Sequence, residues 1–339
     1  MEFFNPNTNI DFLRWRRISL TVSAVLMVAC AAIIFLRGLD YGLDFTGGAL
    51  IEVNYTDPAD IADVRSALTD GGFGGAVVQG LGTSRDYAIR IAPHDAKAEA
   101  AAKDKVDAGK DKADAPAAAP TDAKAKNDKI ASEVLKALTA KRADAKVKKS
   151  EFVGPQVGDE LRSDGLIAVI FVIMGIMFYL WIRFEWRFAV AAVASEIHDT
   201  LLTVGVFALL GKEFDLPALA AVLSVVGYSI NDKVVVFDRV RELFRSARKG
   251  EPVDILNRSI NSTLSRTIMT GLTTGLAVGA LWLVGGPAVE NFGLIMVIGI
   301  VIGTFSSIFF ANPILLWLGV SKKDLMPVTK DDPELARRP

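Results

Sequence analysis

Asp232 and Lys233 stand side by side in the apolar stretch SVVGYSINDKVVVFDRV, and Glu196, His198 and Asp199 stand in another, VAAVASEIHDTLLTVGVF. Ionisable side chains in hydrocarbon are costly, and they persist where they face a bundle interior or wet cavity and carry ions or protons. A carboxylate close to an arginine stays ionised, whereas in a poorly hydrated site without that neighbour it takes up a proton. A pair that opens and closes would thus load and release protons. Arg266, in STLSRTIMTG at the start of the next apolar stretch, is the candidate partner for Asp232. Antiparallel neighbours place the end of one helix level with the start of the next. An ordinary interfacial arginine is an equal reading of Arg266. Depth sharpens the case for Asp232: a helix starting near Leu216 carries it roughly 24 Å along at 1.5 Å per residue. That point lies about one turn inside the far edge of a bilayer core. Lys233 is long enough to reach the headgroups and reads as an anchor; Asp232 is not, and needs an internal partner. His198 and Asp199 read as a second relay element or an interhelical hydrogen-bond pair, with the structural or auxiliary role favoured. Asp199 and Asp232 in consecutive stretches also admit an intramembrane aspartyl protease, but its GxGD signature is absent, since Asp232 sits in SIND.

The elements that must position these groups are apolar helices. Of 339 residues, 51% are hydrophobic and 23% charged, so the two kinds are strongly segregated. Six stretches, 18–36, 166–182, 188–210, 216–237, 268–284 and 292–318, approach or exceed the roughly 20 residues that cross a bilayer. Asn312-Pro313 is the expected break in the last. The first follows basic residues as a signal peptide would. No small-residue cleavage site follows it, only LRGLDYGLDF, so it reads as a retained anchor. Basic residues cluster on one side: Arg14, Arg16 and Arg17; Arg183 and Arg187; then Arg239, Arg241, Arg245, Arg248, Lys249, Arg258 and Arg266; finally Lys322 and Lys323. Both termini, 1–17 and 319–339, are therefore expected in the cytoplasm, with 37–163 outside. Spans two to six occupy 164–318, interrupted by a cytoplasmic loop, 238–266, whose two amphipathic pieces are expected on the membrane surface. Gly271, Gly275 and Gly279, and again Gly299 and Gly303, form small-residue stripes that suit close helix packing.

Cys30 is the only cysteine, so no intramolecular disulfide can form. Two isolated histidines, His94 and His198, and one cysteine make no zinc constellation. No Walker-type phosphate loop or catalytic triad pattern is present, and a net charge of −1 says nothing in favour of nucleic acid. The segment after the first span reads β-α-β-β-α-β: ALIEVNY, a helix in TDPADIADVRSALTDGG, AVVQGL, DYAIRIA, a helix over 128–142, and AKVKKSEFVG. Thr56 or Asp57 is the expected cap of the first helix, Pro58 its first residue and Gly71 its end. Residues 93–126, rich in Ala, Lys and Asp and free of aromatics, read as a disordered insertion. The whole is a ferredoxin-like α+β domain. A docking domain and an inert spacer are equal readings of it.

Several motifs together resemble the SecF branch of the SecD/SecF protein-export family. They are GLDFTGG at 42–48, VGPQVGDEL at 153–161, EIHD at 196–199 and GYSINDKVVVFDRVRE at 227–242. LNRSINSTLSRTIMTGLTT at 256–274 and GGPAVENFGLIMVIGIVIGTFSSI at 285–308 complete the set. The resemblance covers most of the chain; the Ala/Lys/Asp insertion departs from it, and no second set of six spans is present. It implies a six-span fold of the resistance-nodulation-division type with a periplasmic ferredoxin-like domain, in the bacterial inner membrane. It further implies a complex with SecD beside the SecYEG translocon, with YajC and YidC as further partners and translocating preproteins as cargo. The pair would use the proton-motive force, with protons as coupling ion and no other cofactor or enzymatic activity. Asp232 and Arg266 fall at positions the family links to proton passage; Asp44, Gly47, Gly48 and Asn231 fall in its motifs. A drug or lipid exporter of the same superfamily and a passive scaffold of the translocon are the rival readings.

Overall fold

A computed structural model describes residues 9–81, 83–92, 120–246 and 250–321, which group into an α+β unit and a helical unit. The α+β unit is built on strands β1 (Gly48–Tyr55), β2 (Val77–Gly80), β3 (Asp86–Ile91) and β4 (Ala145–Val153) in the order β2-β3-β1-β4, every pair antiparallel. A short helix, α2 (Leu43–Thr46), precedes β1, and helices α3 (Ile61–Asp70) and α4 (Pro120–Lys141) complete the β-α-β-β-α-β order of a ferredoxin-like fold. The alternation of β1 sends Ala49, Ile51, Val53 and Tyr55 into one core with Ile89 and Ile91 of β3, Val64 and Leu68 of α3, and Val134 and Leu138 of α4. Gly71 lets the end of α3 approach α4, since a Cβ there would lie 2.3 Å from that of Ala137.

Two boundaries differ from expectation. Helix α3 begins at Ile61, not Pro58, and its cap is Asp60, whose carboxylate accepts from the Ala62 N–H at 3.0 Å. The chain before it is held extended, because the Ala59 N–H donates to Ser84 O and the Tyr87 hydroxyl donates to Ala59 O. Arg142 adds hydrogen bonds to the carbonyls of Asp57 and Pro58 and pairs with Asp144 at 2.8 Å, which holds that carboxyl below the usual carboxylate range. The second helix starts at Pro120 rather than 128, since Ala and Lys are strong helix formers; residues 93–119 of the expected insertion lie outside the described residues.

The helical unit holds α1 (Arg16–Arg37), most of α5 (Pro155–Arg183), α6 (Trp186–Leu210), α7 (Leu216–Ser246), α8 (Pro252–Val284) and α9 (Pro287–Ser306). A π-turn, Ser307–Ala311, joins α9 to α10 (Asn312–Trp317). Six helical segments are long and apolar enough to cross a membrane. The break expected at Asn312-Pro313 is this π-turn: the Asn312 amide donates to the Ser307 carbonyl at 2.6 Å and takes up a backbone group freed by the irregular turn. α6, α7 and the α9–α10 segment are the most enclosed, whereas α1, α5 and α8 present broad apolar faces outward.

Residues 238–266 do not form separate surface helices. α7 runs unbroken to Ser246 and α8 starts at Pro252. Val240, Phe244, Ile255, Leu256 and Ile260 are core residues packed with Leu13, Phe184, Phe188 and Phe237. Gly250 lies between the two helices and Pro252 opens α8, where proline is tolerated. No Gly or Pro falls further inside either extension, so nothing stops each span from continuing. Of the glycine stripes, Gly299 and Gly303 pack against Val225 and Ser229 of α7. Gly275 and Gly279 of α8 have nothing within 4 Å, so packing within this chain does not account for them.

Gly48 is the tightest point of the α+β unit. Its φ is +123°, and a Cβ would fall 2.3 Å from the Ile91 carbonyl oxygen of the neighbouring strand. Gly48→Ala is expected to destabilise this unit by about 1–3 kcal/mol from backbone strain alone, with the clash added. Faster amide exchange in β1 and β3 of the full chain is the measurement that shows it; unchanged exchange refutes the assignment.

Candidate functional site

Helical spacing sorts the buried polar residues into facing sets. On α6, Glu196 and Asp199 are three apart and share a face; on α7, Ser229 and Lys233 are four apart and share another. On α9, Gly299 and Gly303 bring the helix so close to α7 that a Cβ on Gly303 would lie 2.7 Å from the Ser229 hydroxyl, and Ser306 follows one turn later. The three faces meet in one polar cluster inside the bundle.

Lys233 is its centre. The side chain is 0% exposed, with Nζ 2.8 Å from Glu196 Oε2 and 2.8 Å from Asp199 Oδ2, and it donates to Ser229 Oγ at 2.9 Å. Ser229 and Ser306 each donate to Asp199 Oδ2 at 2.6 Å. His198 Nδ1 lies 2.8 Å from Asp199 Oδ1, and its ring stacks on Phe310 of the π-turn at 4.1 Å. Ser195 Oγ is 3.3 Å from Ser306 Oγ. Lys233 is therefore not a headgroup anchor. An ammonium with two carboxylates within reach, on a helix face turned inward, gains more from them than from snorkelling. The spacing Glu196-x-x-Asp199 was the available signal, since it puts two carboxylates on one helix face. Nothing in the sequence showed that Lys233, Ser229 and Ser306 would face them.

Asp232, one residue back, points about 100° away around α7, towards α8. It is 4% exposed, and Oδ2 has no hydrogen-bond partner. Arg266 and Lys233 are the cations that act on it, and Thr270 of α8 is its neighbouring hydroxyl. Among the described residues no ion pair joins Asp232 to Arg266, which is exposed. The structure thus brings the expected partners to facing helices without closing the pair. Asp199, by contrast, is saturated with donors, which argues against an aspartyl protease dyad with Asp232.

The motif residues lie elsewhere. The Asp44 carboxylate accepts the Leu216 N–H at 3.0 Å and so caps the first residue of α7, within the α+β unit. The Gly42 N–H donates to the Phe214 carbonyl at 2.8 Å, and Phe45 stacks on the Phe214 ring at 6.0 Å. Gly47 (φ +69°) and Gly48 turn the chain from α2 into β1. A Cβ on Gly158 of α5 would approach Gly47 N to 3.0 Å, so the turn also receives that helix. Asn231 lies on the exposed side of α7.

Comparison with known proteins covers both regions. Residues 133–321 match the family described as protein export membrane protein SecD/SecF, C-terminal, and residues 32–59 match the SecD/SecF GG motif. The chain is 38% identical to the protein translocase subunit SecF of Vibrio alginolyticus over 100% of this chain and 99% of that one. It is 39% identical to the protein translocase subunit SecF of Pseudomonas aeruginosa over 95% and 96%. The crystal structure of SecDF, a translocon-associated membrane protein from Thermus thermophilus, superposes with a TM-score of 0.75 at 31% identity. That match covers 93% of this chain and 39% of the longer SecDF chain.

Removing the central charge leaves the buried Asp199 carboxylate, with the Glu196 carboxyl beside it, without a compensating cation. Lys233→Met is expected to cost about 3–5 kcal/mol, as for other buried pairs broken on one side. Ser306→Ala should cost about 1.5–3 kcal/mol, the range for a hydrogen bond to a charged group. Unfolding of the purified chain in detergent, with helicity as the readout, tests both. Equal stability of Lys233→Met and the unaltered chain would contradict the cluster.

Proposed function

The chain belongs to the SecD/SecF protein-export family, and on that premise we propose that it is a SecF-like subunit that couples proton movement to late steps of preprotein translocation. It works in complex with SecD, beside the SecYEG translocon and with YajC and YidC. Both termini lie in the cytoplasm and the α+β unit in the periplasm of a bacterial cell. Protons are the coupling ion; no cofactor and no catalytic step are required, and nucleic acid has no part.

One observation carries this reading: Asp232 is a buried carboxyl inside a membrane-spanning helix, with an unpartnered oxygen, acted on by an arginine across the helix interface that it does not contact. With Arg266 near, Asp232 is ionised and receptive; with Arg266 withdrawn, the desolvated carboxyl holds a proton. Movement of α8 against α7 would alternate the two states and transmit them to the partner subunit. The exposed apolar faces of α1, α5 and α8 give membrane-embedded partners room to attach. A passive scaffold would need no ionisable group at Asp232.

Asp232→Asn, co-expressed with SecD, should release a translocating preprotein on the outer face at the rate the unaltered pair shows without a proton gradient, while assembly with SecD is retained. An undiminished response to the gradient would favour the scaffold.

A further inference from the structure

We infer that Glu196 is a protonated carboxylic acid and forms, with the cavity beside it, a second proton-binding site separate from Asp232. Its place in a transport cycle rests on the proton-coupled reading of Asp232; its protonation does not.

Charge balance comes first. Glu196, Asp199 and Lys233 form one buried cluster, in which a single ammonium stands between two carboxylates. Asp199 collects donors on both oxygens, from Lys233, Ser229 and Ser306 on Oδ2 and from His198 on Oδ1. Glu196 receives only Lys233, on Oε2, and no protein donor reaches Oε1. Of two buried carboxylates that share one ammonium, the one with fewer donors is the one that is neutralised. The proton that cancels the surplus negative charge of the cluster therefore resides on Glu196.

The cavity beside Glu196 is the second observation. Glu196 and Thr200, one turn apart on α6, line a cavity of about 280 Å³ with Ile34 of α1 and Ile173, Ile176 and Met177 of α5. Thr200 Oγ1 is also buried without a partner. The charged groups facing Glu196 are Lys233 of α7 and Asp199 of α6; α1 and α5 contribute only apolar side chains to the cavity, and α9 contributes the uncharged Ser306 to the cluster. Asp232 is on the α8 side of α7, so the two acids are reached from different faces of that helix.

Infrared difference spectra of the full chain with SecD in lipid, taken against Glu196→Gln, decide the point. The substitution should remove a protonated-carboxyl C=O band that shifts in heavy water; loss of ionised carboxylate bands instead overturns the proposal. Should Glu196→Gln fail to fold, dicyclohexylcarbodiimide tests the unaltered chain. A protonated carboxyl adds its oxygen to the central carbon of the reagent and its proton to one nitrogen, giving an O-acylisourea that rearranges to a stable N-acylurea. The adduct should appear on the peptide carrying Glu196, and its absence there overturns the proposal. Asp232→Asn should leave both signals in place; their loss would reassign them to Asp232 and overturn it. If Glu196 reads as the acid while Asp232→Asn still responds to the proton gradient, only the transport reading fails.

Discussion

A lysine with no access to water governs the helical unit. An ammonium moved into a low-dielectric interior is tolerated only where its charge and its protons are met by well-placed acceptors. Lys233 has Glu196 and Asp199 at 2.8 Å and the Ser229 hydroxyl at 2.9 Å. That arrangement requires α6 and α7 to lie against each other at one rotation and one level. It requires α9 as well, because Asp199 is completed by Ser306, which reaches it over the close contact allowed by Gly303. The π-turn after α9 then places Phe310 on the His198 ring. Packing, polar satisfaction and helix register are thus one constraint seen from three sides.

α7 divides the polar interior. Consecutive residues on a helix diverge by about 100°, so Lys233 serves the α6 side while Asp232 serves the α8 side. The two sites differ in character. The Lys233 side is dense with hydrogen bonds and anchored by three helices, as a fixed element must be. The Asp232 side has an unpartnered carboxyl oxygen and an exposed arginine on the facing helix. A rigid charge cluster beside a loosely satisfied acid would suit the proposed function, in which α7 reports protonation without losing its fold.

In the α+β unit, the residues of the DFTGG stretch are structural. Asp44 caps the start of α7, Phe45 stacks on Phe214, and Gly47 and Gly48 make a turn that no side chain could occupy at Gly48. Arg90 joins this region from β3, pairing with Glu213 at 2.7 Å and donating to the Tyr41 carbonyl. A short run of sequence thereby holds the 213–216 connection onto the sheet.

By itself the sequence determined the spans, the β-α-β-β-α-β order and the presence of costly charges inside the membrane. Each of these is carried by local composition or period: long apolar runs, alternation of two, helical spacing of three and four. It also placed Asp232 in the last turns of an apolar helix, because that is only a count of residues along the helix. Tertiary structure alone decided what each charge faces. Side-chain period fixes the face a residue occupies, but not which helix stands opposite, so Lys233 read as an anchor and proved to be the centre of a cluster. For the same reason the segments flanking 247–249 read as surface helices from their amphipathic pattern, although their apolar faces are buried by Leu13, Phe184 and Phe188, residues far away in the chain. Whether an apolar edge meets lipid or protein depends on which neighbour arrives, and only the folded bundle supplies that neighbour.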